Sequence, residues 1–267
     1  MNKGKVFRAL HEAREAFILP NPWDVGTARL LASFGFKALA TTSAGYAFSR
    51  GLPDGGVPFE TMIHHCRELA GATELPVSAD LEKGKGDSAD SAAETIFAAE
   101  AAGLAGCSIE DFSGDPAKPI YDFGHAVERV AAAVEAARSL KRDFVLTARA
   151  ENFLHGRPDL DDTIKRLQAF QEAGADVLYA PGLADIEKVS AVCSAVTRPV
   201  NVLAVPGFSM AELAVAGAKR VSLGSKLTTY AFGMLETASR EMLKDGTFGF
   251  SRAGMPFGKL QALFSPK

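Results

Sequence analysis

Eight short apolar runs alternate along the chain with eight longer, alanine-rich amphipathic stretches. The short runs are rich in β-branched residues and lie at 16–19, 38–42, 77–81, 106–109, 144–148, 176–179, 200–203 and 220–223. Their length and composition predict buried strands. The stretches between and after them, at 23–34, 58–71, 88–102, 124–140, 159–173, 183–195, 208–216 and 226–244, have helical spacing. Strict alternation of strand and helix predicts parallel strands joined by crossover helices.

Glycines mark the ends of several predicted helices. Gly35, Gly103, Gly174 and Gly217 each follow an alanine-rich stretch shortly before the next strand, where a left-handed residue commonly closes a helix. Eight such units favour a closed (β/α)8 TIM barrel, because open doubly wound sheets usually have about five or six strands and carry a glycine-rich phosphate turn that is missing here. No linker divides the chain, so we predict a single barrel domain over 1–267.

The composition argues against several classes of function. The chain of 267 residues is 47% hydrophobic and 23% charged, with a formal net charge of −3. No Lys/Arg block is long enough to follow a phosphate backbone, so nucleic acid is not an expected partner. The first twenty residues lack the apolar core of a secretory signal, and no later stretch approaches about 18 uninterrupted apolar residues. We therefore expect a cytoplasmic protein with no membrane partner.

Acidic side chains follow strands three and four. Strand three ends in Asp80-Leu81-Glu82, and strand four ends in Glu110-Asp111. Parallel barrel strands end at one face, so these carboxylates are expected to converge there and to raise one another's pKa. A hard divalent cation offsets that repulsion. The pattern predicts a site for Mg²⁺, or alternatively Mn²⁺, formed by three or four of the carboxylates Asp80, Glu82, Glu110 and Asp111. Taken singly, each acid has the alternative role of a lysine partner or helix cap.

Polar and small residues follow neighbouring strands at the same face. Arg149 ends strand five, and its planar guanidinium suits a carboxylate or phosphonate; its alternative role is a structural ion pair with Glu110 or Glu151. Strand two leads into Ser43-Ala44-Gly45, where small residues allow backbone N–H groups to approach a ligand oxygen. Asn201, near the start of strand seven, is either a site residue or a barrel amide whose hydrogen bonds are satisfied.

Six strings of the sequence occur in an order that is typical of one enzyme family. They are 20–24 (Pro-Asn-Pro-Trp-Asp), 42–45 (Thr-Ser-Ala-Gly), 51–54 (Gly-Leu-Pro-Asp), 80–87 (Asp-Leu-Glu-Lys-Gly-Lys-Gly-Asp), 109–111 (Ile-Glu-Asp) and 148–149 (Ala-Arg). Together they resemble the isocitrate lyase / phosphoenolpyruvate mutase superfamily over nearly the whole chain. The resemblance implies a barrel that binds Mg²⁺ and an α-oxo-carboxylate, often with its last helix swapped between subunits of a dimer or tetramer.

The resemblance also implies a role for individual residues. Asp80 matches the family's metal-binding aspartate, and Glu82 and Glu110 match the acids that hold metal-bound water. The residues that would hold the carboxylate and carbonyl of the substrate are Ser43, the backbone of Ala44 and Gly45, and Arg149, with Asp54 nearby as a further catalytic candidate.

The loop after strand four departs from the pattern of the family's lyases. Those lyases carry a Lys-Lys/Arg-Cys-Gly-His run whose cysteine acts as acid or base, whereas the loop at 111–122 has neither cysteine nor histidine. The difference argues against cleavage of isocitrate or methylisocitrate and favours the branch of phosphonopyruvate hydrolase and oxaloacetate decarboxylase-like enzymes. Lys118 stands where the mutase and hydrolase use a lysine. Lys118, Tyr46 and Tyr121 are the candidates for protonating an enolate.

These observations predict a Mg²⁺-dependent lyase that cleaves a C–C bond adjacent to the carbonyl of a small 2-oxo acid, through an enolate stabilised by the metal and Arg149. Three alternatives stay open: P–C chemistry on phosphonopyruvate, a metal-free Schiff-base aldolase using Lys226 or Lys83, and a catalytically silent 2-oxo-acid-binding protein. An apolar run near the C terminus, between Phe248 and Phe264, predicts a homodimer or homotetramer unless that tail packs on its own barrel.

Overall fold

Eight parallel strands form one sheet in the computed structural model, which describes residues 2–265. The strands are β1 (Phe17–Leu19), β2 (Leu39–Ala40), β3 (Val77–Asp80), β4 (Gly106–Glu110), β5 (Val145–Arg149), β6 (Val177–Tyr179), β7 (Val200–Leu203) and β8 (Arg220–Ser222). Their order in the sheet is β1-β8-β7-β6-β5-β4-β3-β2. Where β1 and β2 meet, the N–H of Ala40 donates to the carbonyl of Pro20 at 3.0 Å. The predicted (β/α)8 barrel is confirmed.

Helices surround the sheet at positions close to those predicted. They are α1 (Lys3–Glu12), α2 (Val25–Ser33), α3 (Ser43–Ser49), α4 (Phe59–Ala72), α5 (Ala89–Ala101), α6 (Phe123–Ser139), α7 (Leu160–Glu172), α8 (Ile186–Ala195), α9 (Met210–Val215), α10 (Lys226–Asp245) and α11 (Phe257–Phe264). The four glycines expected to close helices all have positive φ, between +87° and +103°. The helix ends were therefore readable from the sequence, because left-handed closure is a local property.

Three helical segments lie outside the predicted set. They are α1, α3 and the C-terminal pair formed by a 3-10 turn (Gly249–Ala253) and α11. The sequence predicts an irregular segment at 43–57 after strand two, and this prediction is wrong for its first half, which forms α3. Thr42 caps α3 by accepting the N–H of Gly45 on its hydroxyl at 3.2 Å, and so starts a helix directly at the end of β2.

Helix α1 closes the N-terminal end of the barrel. Phe7 is fully buried, and the guanidinium of Arg8 contacts two acids near the starts of β5 and β6, Asp143 at 3.1 Å and Asp176 at 2.9 Å. Gly4 permits this approach, because a Cβ at that position would lie 1.8 Å from the main-chain oxygen of Asp143. The two cavities that adjoin the ends of β3, β4 and β5 lie at the opposite end of the barrel.

The apolar core lies between the sheet and the surrounding helices. Leu39, Leu146 and Leu178 of the strands and Ile96 and Phe170 of the helices are fully buried there. Helices such as α5 and α7 therefore turn one apolar face inward. Within residues 2–265, none of the helices is both long enough and apolar enough to cross a membrane.

Candidate active site

Arg149 stands at the centre of the C-terminal end of the barrel. It is the last residue of β5 and pairs in register with Glu110, the last residue of β4. Its guanidinium contacts three carboxylates: Nη1 lies 2.6 Å from Asp80 Oδ1 and 3.3 Å from Glu110 Oε2, and Nη2 lies 2.8 Å from Glu151 Oε1. Both ion pairs proposed as its structural role, with Glu110 and with Glu151, are present. One cation therefore faces three acids.

The excess of acids changes how the carboxyl groups titrate. Burial, together with the charges of Asp80 and Asp54, raises the pKa of Glu82 to about 7. Burial also raises the pKa of Glu110 well above its usual range, against the opposing effect of Arg149. The pKa of Glu151 rises to about 7, again because burial outweighs the guanidinium. Near neutral pH the cluster can therefore take up protons or a cation.

Glu82 has an unusual backbone conformation. Its φ is +53°, and it is the one non-glycine residue among 2–265 with positive φ. Such a conformation costs about 1–2 kcal/mol for an L-residue. The backbone after Glu82 is fixed by Arg129 of α6. This buried side chain donates to the carbonyls of Lys83, Gly86 and Ser88. These contacts keep Glu82 at the rim of the cavity although it lies beyond the end of β3.

The segment after β2 meets the acidic cluster through Ser43. Its hydroxyl donates to Asp80 Oδ2 at 3.0 Å, and its N–H points to the same oxygen at 3.4 Å. Close packing requires glycine at position 45, because a Cβ there would lie 2.5 Å from the hydroxyl of Thr228 on α10. Its N–H is bonded to the Thr42 side chain. Ala44 borders the deeper of the two cavities described next.

Two adjoining cavities open at this face. The outer one, about 520 Å³, is bordered by Ser43, Asp54, Gly55, Glu82, Lys83, Glu110, Phe112, Gly114, Arg149, Glu151, Leu154 and His155. The inner one, about 180 Å³, reaches into the barrel past Asp80 and Asn201. Asn201 is fully engaged in the barrel, since its amide donates to the Ser222 hydroxyl and accepts from Arg220 Nε. The outer cavity is large enough for a small oxo-acid.

Comparison with known proteins agrees with this arrangement. The sequence profile of the phosphoenolpyruvate phosphomutase family matches residues 7–243. The chain belongs to this family. The predicted membership of the isocitrate lyase / phosphoenolpyruvate mutase superfamily is thereby confirmed, and the protein is an enzyme of that type.

Three relatives of the enzyme illustrate the range of the family. The 2-methylisocitrate lyase of Escherichia coli is 31% identical over 205 residues, which are 74% of this chain and 68% of the lyase. The oxaloacetate decarboxylase of Paraburkholderia xenovorans is 29% identical, over 92% of this chain and 84% of its own. A crystal structure from Burkholderia cenocepacia J2315, with only a general lyase/mutase designation, is 53% identical with a TM-score of 0.97, over 99% and 96% of the two chains.

Several predicted site residues lie away from the two cavities of the enzyme. The Tyr46 ring stacks on His65 with centroids 3.6 Å apart, within the packing of α3 against α4. Lys118 borders a separate cavity of about 300 Å³ together with Tyr121, whose hydroxyl donates to Asp87. Tyr46, Lys118 and Tyr121 are the three proposed proton donors. Within residues 2–265, neither these three nor Lys226 line the outer or the inner cavity.

Three residues with ionisable or aromatic side chains at the outer cavity were not proposed as site residues from the sequence. They are Glu151, Phe112 and His155. The sequence has no pair of histidines at metal-binding spacing, so His155 stands alone in it. A usable pattern was present, since Glu151 and His155 are four residues apart in the segment directly after β5, and catalytic groups of barrel enzymes commonly follow a strand.

The donor set fits a hydrated hard cation. In the part of the chain that the structure describes, no three His, Cys, Asp or Glu side chains are arranged to ligate one ion directly. Mg²⁺ usually keeps several waters and binds one or two carboxylates, so three direct ligands are not required. Lys83 offsets little of the acidic charge, because it donates to Asp87 and to the carbonyl of Ser113. The carboxylates around the two cavities are Asp54, Asp80, Glu82, Glu110 and Glu151.

Proposed function

We propose that the enzyme cleaves a C–C bond adjacent to the carbonyl of a small 2-oxo acid, with Mg²⁺ as its cofactor, and releases the product through an enolate. The observation that carries the proposal is the meeting of one buried guanidinium with an excess of carboxylates at the ends of β3, β4 and β5. The names of two relatives, a lyase and a decarboxylase, both describe C–C cleavage.

The residues of the cluster divide into two tasks. Asp80, Glu82 and Glu110 would hold the cation, which when bound supplies a Lewis acid for the carbonyl oxygen. Arg149 and Ser43 would hold the substrate's carboxylate and place a positive charge and a hydroxyl where negative charge develops. The Arg149 side chain is only 11% exposed, and one well-placed donor in a site that excludes water contributes about 3–4 kcal/mol to the transition state.

Binding of oxalate tests the metal and oxo-acid site directly. Oxalate is a planar dianion that resembles the enolate of a 2-oxo acid. We expect calorimetry to detect oxalate binding with Mg²⁺ and none with EDTA, and Asp80→Ala to abolish the Mg²⁺-dependent part. Asp161→Ala, at an exposed position of α7, is the matched control and should bind as wild type does. Unchanged oxalate affinity in Asp80→Ala would contradict the proposal.

P–C bond chemistry on phosphonopyruvate is the second candidate, favoured by the match to a phosphomutase family. A screen of 2-oxo acids and phosphonates distinguishes the two reactions, because release of inorganic phosphate indicates hydrolysis of a P–C bond and release of CO₂ indicates decarboxylation. A catalytically silent protein would bind oxalate with Mg²⁺ and turn over none of the compounds.

A Schiff-base mechanism makes a different prediction. It requires a lysine amine near the substrate, and Lys83 is the lysine at the outer cavity. Its amine is engaged elsewhere, because Nζ lies 2.6 Å from Asp87 Oδ1 and donates to the carbonyl of Ser113 at 2.8 Å. Borohydride trapping of a substrate adduct, with activity indifferent to EDTA, would favour this mechanism over the metal-dependent one.

We further propose that a second copy of the chain covers α10 and the segment after it. Of the twenty residues of α10, only Thr228 and Ala238 are buried. Large apolar side chains stay exposed along this region: Tyr230, Phe232, Met234, Leu235, Leu243, Phe248 and Phe257. A patch of this kind is typical of a subunit interface. The α11 helix packs on α2 of its own chain, and exchange of this helix between subunits stays a prediction.

A further inference from the structure

His155 is the imidazole that borders the outer cavity, and the chemistry above does not use it. It lies in the segment between β5 and α7, with a side chain about a quarter exposed. Its ring stacks on Phe112 with centroids 3.6 Å apart and planes 6° from parallel. Nε2 lies 3.7 Å from Glu151 Oε2. The ring therefore stacks on an aromatic face, and one of its nitrogens lies close to a carboxylate without a direct hydrogen bond to it.

A continuous set of contacts connects this imidazole to the centre of the site. Glu151, whose side chain is 1% exposed, accepts from Arg149 Nε at 2.8 Å. Arg149 in turn contacts Asp80 at 2.6 Å. An imidazole beside a buried carboxylate is the arrangement expected of an acid–base residue. The same cavity thus joins the substrate-binding guanidinium to a group able to transfer a proton.

The loop after β4 positions the ring of His155. The residues that this loop contributes to the outer cavity are Phe112 and Gly114, and neither side chain can donate a proton. Phe112 and Ile120 form an antiparallel bridge, so the loop folds back on itself. Its Lys118 faces a separate cavity, whereas Phe112 faces the site and stacks on His155. The loop after β4 therefore supplies the aromatic ring on which His155, from the segment after β5, stacks.

We propose that His155 is the acid–base residue of the site and protonates C3 of the enolate formed by bond cleavage. The proposal rests on the proposed function. For a 3-carboxylated 2-oxo acid, the C3–carboxylate bond breaks, CO₂ leaves, and the electron pair enters the C2–C3 enolate. The imidazolium of His155 then gives its proton to C3, the ring becomes neutral, and it regains a proton from solvent through Glu151. Each turnover consumes one proton.

The charges around the ring set the pH range of this step. Phe112 carries no charge, and Glu151 and Arg149 are the nearest charged groups; the other charged groups of the cavity are Asp54, Glu82, Lys83 and Glu110. Burial, and then Arg149, lowers the pKa of His155, while burial raises the pKa of Glu151 to about 7. The carboxyl group of Glu151, which would return the proton to the ring, loses its own proton as pH rises through about 7. The rate constant kcat should therefore fall on the alkaline side.

Hydrogen exchange separates proton transfer from binding. With Mg²⁺ in D₂O, an acid–base residue exchanges the C3 hydrogens of pyruvate for deuterium, which proton NMR follows directly. For His155→Gln we expect exchange, and CO₂ release from oxaloacetate, to fall about 100-fold or more, with oxalate affinity within about twofold of wild type. Added imidazole should partly restore exchange in His155→Ala. His64→Gln, at a side chain 67% exposed on α4, is the control and should match wild type.

The outcomes distinguish this assignment from the proposed function. The assignment of His155 as the acid–base residue is overturned if His155→Gln exchanges pyruvate hydrogens within about threefold of the wild-type rate. It is also overturned if exchange is lost together with oxalate binding and imidazole does not restore it. Wild-type protein that binds oxalate but neither exchanges pyruvate nor releases CO₂ overturns it too and leaves metal and oxo-acid binding in place. Absence of Mg²⁺-dependent oxalate binding in wild type overturns the proposed function and the assignment that rests on it.

Discussion

Replacing Arg149 with methionine removes the guanidinium that contacts Asp80, Glu110 and Glu151. The substitution nearly preserves the length of the side chain, so the main change is electrostatic. Removing one partner of a buried ion pair costs about 3–5 kcal/mol, because the other partner is left buried and uncompensated. At a specific unfolding entropy of about 2.1 cal/mol/K per residue, a chain of 267 residues should lose about 5–9 °C in Tm.

The size of this loss should depend on pH. Burial already raises the pKa of Glu110 and Glu151, and loss of the Arg149 charge would raise both pKa values further. An acid with a raised pKa in the folded state keeps its proton after the unfolded chain has ionised, so stability falls as pH rises through that window. The difference in stability between wild type and Arg149→Met should therefore be larger at pH 8 than at pH 5.5.

Urea denaturation followed by circular dichroism, with EDTA present, measures both effects. Lys188→Met is the matched control, because Lys188 forms an exposed ion pair with Asp185 at the start of α8 and such pairs contribute at most about 1 kcal/mol. A loss in Arg149→Met no larger than that of the control, or one that is the same at both pH values, would refute this account of the cluster.

Three further predictions concern the rest of the molecule. Gly4→Ala places a Cβ 1.8 Å from a main-chain oxygen and should cost about 1–3 kcal/mol in a urea melt; Gly71→Ala, with open space around it, should cost nothing. Burial lowers the pKa of His11 to about 3, so between pH 7 and pH 4.5 the unfolded chain takes up a proton that the folded chain does not. Wild type should therefore lose about 2–3 kcal/mol more stability than His11→Gln over this pH range. An equal loss in both proteins refutes this prediction. Leu235→Glu on α10 should convert the assembly to monomers in light scattering after gel filtration, whereas Val215→Glu on α9 should leave it unchanged; a wild-type monomer contradicts the proposed interface.

The barrel and the centre of its site were predictable because they depend on local and repeating patterns. Strand and helix periodicity, together with left-handed glycines at helix ends, predicted all eight units within three residues of their observed ends. Residues that end adjacent parallel strands must lie side by side, so the neighbourhood of Asp80, Glu110 and Arg149 followed from their positions alone.

Helix α1 could not be recognised in the same way. It buries only Gly4, Phe7 and His11, which is too few for a clear amphipathic pattern. Its place at the base of the barrel depends on contacts with residues more than a hundred positions away, such as those between Arg8 and the acids before β5 and β6. No local pattern of the sequence contains that information.

The loops were decided by tertiary structure. The sequence by itself determined that Tyr46, Lys118 and His155 lie near the C-terminal face, but not which of them faces the cavity. Tyr46 stacks on α4, Lys118 lines another cavity, and His155 is turned toward the site by Phe112. Beyond the end of a strand no period sets the direction of a side chain; that direction depends on the path of the loop, which long-range packing and hydrogen bonds determine.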